Sequence, residues 1–407
     1  MPTPLSPERL AALIRERRPR WSLPQPFYLA PEFENLDRAY VYARGWLFAG
    51  HVSQARRPGD WFTFELGGES LIVIRAADGA LHAHFNVCRH RGSRICLEAH
   101  GHAKKLVCPY HQWVYEPGGR LHTAKSMPEG FDPDAFGLKP AHVAEVEGLI
   151  FVSFASRRPP FERLAADVTP YLAPHGLARA RIAAAKRYDV RANWKLVVEN
   201  SRECYHCPVG HPEYTRLMSP AGEDERAACE RRVEGYHARG LLTRRILGDG
   251  YHVSRYPTAR ADYFTQSLDG KPLAPLMGSL SERDCGVLGF IVFPNLMFIA
   301  CGDHAVSFSF VPSGPARTGI DALWLVREDA QEGRDYDLAK LTAFWEATGE
   351  QDWKLCEDNQ AGICSASYEP GPYSDCEGDV ERFVTWYLRQ LEGFARGQAA
   401  QDACAAD

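Results

Sequence analysis

Cys88-Arg-His90 and Cys108-Pro-Tyr-His111 each join one thiol and one imidazole within a few residues, and seventeen residues separate His90 from Cys108. Two thiolates and two imidazoles also make a structural zinc site. In a zinc finger with that ligand set, however, cysteine pairs with cysteine and histidine with histidine along the chain. Here each short stretch carries one of each. That suits a [2Fe–2S] cluster with both cysteines on one iron and both histidines on the other, where neutral imidazoles raise the potential. Gly92 and the region of Gly101 allow tight turns near the cluster sulfurs, and Pro109 stiffens the second stretch. Cys96, His100 and His102 fall outside the paired pattern and read as a packed thiol and two surface imidazoles.

A second constellation follows about a hundred residues on. Glu203, His206 and His211 form E-x2-H-x4-H. The spacing predicts one helix over 193–207 with Glu203 and His206 on one face. Pro208 and Gly210 then end it, so that His211 swings back beside His206. Two histidines and one remote carboxylate make the facial triad of a mononuclear Fe(II), which keeps positions open for dioxygen. The remote carboxylate is sought on the helix predicted over 353–365, which offers Glu357 and Asp358; spacing alone does not choose between them. Cys204-x-x-Cys207 lacks a thioredoxin-like βαβ setting and reads as packing.

The elements that must position these groups differ between the two halves of the 407-residue chain. Residues 46–155 contain short alternating runs such as WFTFEL, LIVIRA, LHAHFN and LIFVSF, separated by turn signals, and predict a small β domain. Arg157-Arg158-Pro159-Pro160 marks a boundary. Beyond it, helices are predicted from Phe161 to Tyr171, over Asp335 to Ile363, and over 378–396, where Phe383, Tyr387, Leu391 and Phe394 share a face. Gly286 to Val311 supplies strands around a Pro-Asn turn. Ser6-Pro7 starts an N-terminal helix with Leu10, Leu13 and Ile14 as its apolar stripe. The fold class is α+β: a β-rich domain plus a second domain with an antiparallel sheet covered by helices. The boundaries are 1–45 for an N-terminal helical segment packing on the second domain, 46–157 for the first domain, 158–396 for the second, and 397–407 for a disordered tail.

Composition narrows the function classes. The chain is 45% hydrophobic and 24% charged, with a net charge of −5, which does not suit a dedicated nucleic-acid surface. No apolar run approaches a bilayer span, and no export signal accompanies the twelve cysteines. A cytoplasmic location with free thiols is expected, without a membrane partner.

Together the two motifs resemble the oxygenase α subunits of the Rieske non-heme iron oxygenases. The resemblance spans nearly the whole chain and is closest to the quaternary-ammonium branch, through FNVCRHRGS (85–93), KLVCPYHQW (105–113), NWKLVVEN (193–200), ECYHC (203–207), EDNQAGI and YEPGPYS. It implies that Cys88, His90, Cys108 and His111 hold the Rieske [2Fe–2S] cluster. It implies that His206, His211 and Asp358 hold the mononuclear Fe(II), with Asn200 nearby. It assigns Glu203 to the carboxylate that bridges a cluster histidine of one subunit to an iron histidine of the next; many ring-hydroxylating relatives have Asp there. A homotrimer follows by analogy.

The resemblance also implies a reaction. NADH electrons reach the cluster through a separate FMN/iron–sulfur reductase, since no dinucleotide fingerprint is present in this chain. An N-methyl group of a betaine-like quaternary ammonium is hydroxylated with O2, and formaldehyde leaves the demethylated amine. A permanent cation calls for aromatic faces, with Tyr251, Tyr256, Tyr263, Phe264 and Phe298 as candidates and His304 as the candidate for the substrate carboxylate. The alternatives are an oxygenase acting on an aromatic or uncharged substrate, and, from another class, an electron carrier or zinc-stabilised binding module.

Overall fold

The computed structural model describes residues 5–396; the tail expected over 397–407 lies outside them. The chain divides into two compact units, residues 43–160 and residues 5–42 with 161–396.

The regular structure of the first unit is mainly strand: β1 (Leu47–His51), β2 (Asp60–Leu66), β3 (Glu69–Arg75), β4 (Leu81–Phe85), β5 (His100–His102), β6 (Leu106–Val107), β7 (Val114–Tyr115), β8 (Leu121–Thr123), β9 (Pro140–Val146) and β10 (Leu149–Ser153). Seven form an antiparallel sheet in the order β1-β10-β9-β4-β3-β2-β5, and β6-β7-β8 make a smaller one. The β-branched run of β3 explains its central place, with Leu71 to Ile74 wholly buried. Gly101 lies within β5, paired with Trp61, and does not serve as a turn beside the cysteines. A Cβ there would lie 2.5 Å from the Trp61 indole, so glycine is required for packing.

The second unit opens with α1 (Pro7–Glu16), α2 (Pro26–Leu29) and α3 (Glu32–Leu36), followed after the first unit by α4 (Glu162–Leu172). Ser6 caps α1 by accepting the Arg9 N–H at 3.2 Å. Then come β11 (Arg181–Val190), α5 (Trp194–Asn200), α6 (Cys207–Gly210), α7 (Pro212–Met218), α8 (Glu223–Ala238), β12 (Ile246–Gly248), β13 (Tyr251–Tyr256), β14 (Val287–Val292), β15 (Leu296–Ala300), β16 (Ala305–Gly314), β17 (Arg317–Val326), α9 (Leu338–Ile363) and α10 (Gly378–Ala395). The strands make one antiparallel sheet, β11-β17-β16-β15-β14-β13-β12. β14 is buried at every position, so both faces of the sheet are covered there. Helix α5 packs on β16 and β17, and α9 runs beside α5 and β11.

A buried charge holds α5 in place. Lys195 is fully buried, with its ammonium 2.7 Å from Asp37 Oδ2. The same carboxylate accepts Trp194 Nε1–H at 2.8 Å and the Tyr387 hydroxyl at 2.7 Å. One carboxylate therefore ties the N-terminal segment, α5 and α10 together. Loss of one partner from such a pair costs about 3–5 kcal/mol, because the remaining charge stays buried.

The expected helix over 193–207 is shorter. It starts as expected, with Asn193 Oδ1 capping Lys195 N–H at 3.0 Å, but stops at Asn200. A turn follows, and Pro208 stands at the start of α6 instead of terminating a longer helix. Proline suits the first turn of a helix, where no N–H is needed.

Candidate metal centres

In the first unit the two Cys/His stretches fold into matching loops. Cys88 N–H donates to Ser93 O at 2.8 Å, and Cys88 O accepts Gly92 N–H at 2.9 Å. Cys108 repeats both bonds at the same offsets, to Trp113 O at 2.9 Å and from Gln112 N–H at 3.0 Å. The fifth residue of each loop has positive φ, +80° at Gly92 and +57° at Gln112, which turns the chain back on itself. Sequence singled out Gly92 and missed Gln112, whose side chain gives no sign of the left-handed backbone.

These loops bring the four groups together. Cys88 and Cys108 are buried neighbours in one core with Trp113 and Tyr115. The His90 and His111 rings meet edge-on with centroids 4.5 Å apart, and His90 stacks on Trp113 at 4.9 Å. Burial pushes the Cys88 thiol up, while the Tyr115 hydroxyl, 3.3 Å from Cys88 Sγ, opposes that shift. Two observations fit a cluster held by this set. His90 Nδ1 is buried without a hydrogen-bond partner, and the paired sulfurs lie together beside the paired imidazoles. Cys96 sits in the same core, its thiol pushed up by burial to about 12, and His100 and His102 are exposed on β5. The bland readings of those three agree with their surroundings.

In the second unit the turn after α5 directs Glu203 at His206. The Glu203 carboxylate accepts the Tyr205 and His206 backbone N–H groups and His206 Nδ1–H. His211 Nδ1–H donates to Gln351 Oε1 at 2.8 Å, and Gln351 Nε2 reaches Glu213 at 3.5 Å. With both Nδ1–H groups donating outward, both rings turn Nε2 toward one point, where a metal ion taking the place of the Nε2 protons would meet two lone pairs. Those atoms stand 3.0 Å apart. The carboxylate that meets them is Asp352: its Oδ1 lies 2.8 Å from His211 Nε2 and 3.2 Å from His206 Nε2.

Asp358 is therefore not the third member. It faces solvent, pairs with Lys354 one helical turn back, and is 61% exposed. Glu357 is also engaged elsewhere, on Arg191 at 2.8 Å. The reason is rotation about α9. Asp352 follows Trp345 by seven residues and precedes Cys356 by four, so it shares their buried stripe; six residues on, Asp358 has turned about 120° away.

Two imidazole Nε2 atoms and a carboxylate oxygen converge on a point that favours positive charge. Burial opposes charge on His206, but the hydrogen bonds to Asp352 and Glu203 outweigh it and raise the imidazole to about 9. Burial would likewise raise Asp352, yet its bonds to His206 and His211 hold it below the ordinary carboxylate range. Two imidazoles and a carboxylate with an outer carboxylate on one imidazole fit a divalent iron. Asn200 ends α5 with Oδ1 buried and unpartnered.

Two further side chains beside this site were not anticipated. The Tyr214 ring stands 6.4 Å from that of His211, and Trp345 stands 6.2 Å from Tyr214. Of the aromatic candidates, Tyr256 joins them by hydrogen-bonding Tyr214. Tyr251 is bound to Asp167, Tyr263 lies under Arg260, and Phe298 is fully buried in the sheet. His304 is buried with its Nδ1 2.9 Å from Asp303 Oδ1, so that nitrogen is already engaged. Cys204 and Cys207, read as packing, form a disulfide.

Among the described residues no helix is long and apolar enough to cross a membrane. Residues 45–142 match the Rieske [2Fe–2S] domain model, and residues 177–393 match the ring hydroxylating alpha subunit catalytic domain. The glycine betaine monooxygenase oxygenase subunit of Chromohalobacter salexigens is 41% identical, over 93% of this chain and 87% of its own length. That of Pseudomonas aeruginosa is 38% identical, over 95% and 94%. Among solved structures, the quaternary ammonium Rieske monooxygenase CntA in complex with L-carnitine aligns over 96% of this chain and 99% of its own, with a TM-score of 0.71 at 21% identity.

Proposed function

The chain belongs to the Rieske non-heme iron oxygenases as an oxygenase alpha subunit, and from that premise we propose that it hydroxylates an N-methyl group of a betaine-like quaternary ammonium compound. The observation that carries this reading is the whole-length identity of 38–41% to glycine betaine monooxygenase oxygenase subunits. The surroundings of the histidine pair agree with it. A quaternary nitrogen has no proton to donate and is held by aromatic faces; Tyr214, Tyr256 and Trp345 are grouped beside His211.

When bound, the cluster supplies electrons and the ferrous ion supplies dioxygen activation. Cys88, Cys108, His90 and His111 would hold the first, and His206, His211 and Asp352 the second. Glu203 positions His206 by accepting its Nδ1–H, and Gln351 does the same for His211. In the substrate, one C–H bond becomes C–OH, with O2, two electrons and two protons giving the hydroxyl and one water. The N-hydroxymethyl group then loses its hydroxyl proton. The C–N bond breaks with its electron pair going to nitrogen, and formaldehyde leaves the tertiary amine.

The electrons come from a separate reductase, taken here to be NADH-dependent with FMN and iron–sulfur groups. A head-to-tail homotrimer in the cytoplasm completes the reading. Large apolar side chains are exposed near both histidine pairs. Val87, Leu97, Val107 and Tyr110 surround the cluster loops, and Tyr205, Val209 and Leu355 surround the second histidine pair. Two such groups on different units suit a heterologous contact that closes into a ring. Glu203 would then stand where one copy's His111 meets the next copy's His206.

A single turnover tests the substrate. The purified protein is reduced without oxygen, freed of reductant, mixed with a panel of betaines and aromatic acids, and exposed to air. The expected product is formaldehyde with a betaine. A hydroxylated aromatic acid, with no formaldehyde from any betaine, would reject the demethylation and keep the oxygenase.

A further inference from the structure

The disulfide sits within the second metal motif. Cys207 follows His206 directly, and its Sγ lies 4.0 Å from His206 Nε2. That sulfur and one ring nitrogen each of His206 and His211 all lie within 4.8 Å of one another. The two histidines therefore belong to two overlapping ligand sets, one completed by Asp352 and one by Cys207. The bond to Cys204 decides which is usable, because a disulfide sulfur is a poor metal donor and a thiolate a strong one. Cys204 is exposed and gives a reductant access, whereas Cys207 is buried at 5% exposure, beside the histidines.

We propose that the Cys204–Cys207 pair is a redox gate on which metal the histidine pair accepts. Oxidised, it leaves two imidazoles and a carboxylate, the set suited to ferrous iron. A dithiol reduces it by exchange: two electrons and two protons pass to the cysteines, giving two thiols, and the reductant leaves as its own disulfide. Cys207 then releases its S–H proton to solvent on taking a metal. The resulting site, two imidazoles and a thiolate, favours zinc, since thiolate selects softer ions than carboxylate does. Zinc has no redox chemistry, so the reduced pair would divert the site to an inactive form. This inference rests on reading His206 and His211 as a metal site.

Zinc alone is the probe. The full-length protein keeps its cluster, is stripped of mononuclear iron with a chelator, and receives one equivalent of zinc before and after dithiol treatment and anaerobic desalting. X-ray absorption at the zinc edge is blind to the cluster irons. The oxidised protein should show only nitrogen and oxygen neighbours at about 2.0–2.1 Å, and the reduced protein should add one sulfur at about 2.3 Å. Cys204→Ser should show that sulfur without any reductant, and Cys207→Ser should lack it in both states. The gate is overturned if reduced protein and Cys204→Ser both lack sulfur, or if the sulfur persists in Cys207→Ser. Absence of a Cys204–Cys207 bond by mass spectrometry, in both isolated and air-oxidised protein, would also overturn it. Zinc uptake unaffected by His211→Ala would sink the metal-site reading itself, and the gate with it.

Discussion

At the residue scale, Asp352 carries the sharpest consequence. Two adjacent acids, Glu357 and Asp358, lie in the stretch that sequence singled out, yet Glu357 is engaged by Arg191 and Asp358 by Lys354. Asp352 alone on that helix meets both Nε2 atoms. Asp352→Ala should lower iron from about three to about two per chain, with the cluster's spectrum unchanged. Asp358→Ala should keep about three. Metal analysis with electron paramagnetic resonance checks both, and full iron content in Asp352→Ala would remove that residue from the site. The helical stripe running through Trp345, Gly349, Cys356 and Ile363 already contained the signal. An acid inside an otherwise apolar stripe needs a partner, whereas an acid one turn from a lysine on the opposite face already has one.

At the scale of elements, the turn between α4 and β11 is pinned to the sheet by a neutral histidine. His175 Nδ1–H donates to Cys301 O at 3.0 Å, and its Nε2 accepts from Arg255 at 3.1 Å. Arg255 in turn donates to Cys285 O at 2.7 Å. Protonation would set an imidazolium against a guanidinium, and burial and that charge together hold His175 down to about 3. An unfolded histidine titrates near 6.5. Between those values the unfolded chain binds a proton that the folded chain refuses, so stability falls as pH falls, by about 1.4 kcal/mol per unit from this residue alone. Unfolding free energies measured with denaturant between pH 7 and pH 4.5 should fall more steeply with acid in the wild type than in His175→Gln. Equal slopes would mean His175 does not govern this acid limb. The histidine's position was readable in the sequence; its burial against an arginine on β13 was not, because the two are eighty residues apart and meet only through the sheet.

At the scale of the whole molecule, the two metal centres belong to different units, and the proposed electron path runs between copies of the chain. A cluster-dead variant, Cys108→Ala, and an iron-dead variant, Asp352→Ala, are each expected to be inactive alone. In randomly mixed trimers about one contact in four joins an intact cluster to an intact iron site, so co-expression should restore roughly a quarter of wild-type turnover. Adding Glu203→Gln to the cluster-dead chain should remove the regained activity, since the amide cannot accept at both ends as the carboxylate does. No recovery on co-expression would place the electron path within one chain.

The sequence by itself determined the reaction family, the identities of six candidate metal ligands other than Asp352, and the division into a β-rich unit and an α+β unit. Those features are local. Cys-x-His and Cys-x-x-His fit within single loops, E-x2-H-x4-H spans two turns, and strand alternation repeats every second residue. Only the tertiary structure decided which carboxylate completes the histidine pair, where α5 ends, which aromatics stand beside His211, and that Cys204 and Cys207 are joined. Each of these depends on how α9, the sheet and the turn after α5 are rotated and stacked against one another. That rotation follows from the packing of side chains far apart in the chain, among them Asn193 N–H on Gln360 at 2.8 Å and Lys195 on Asp37. No local periodicity encodes it, because the groups that set it become neighbours only when the core closes.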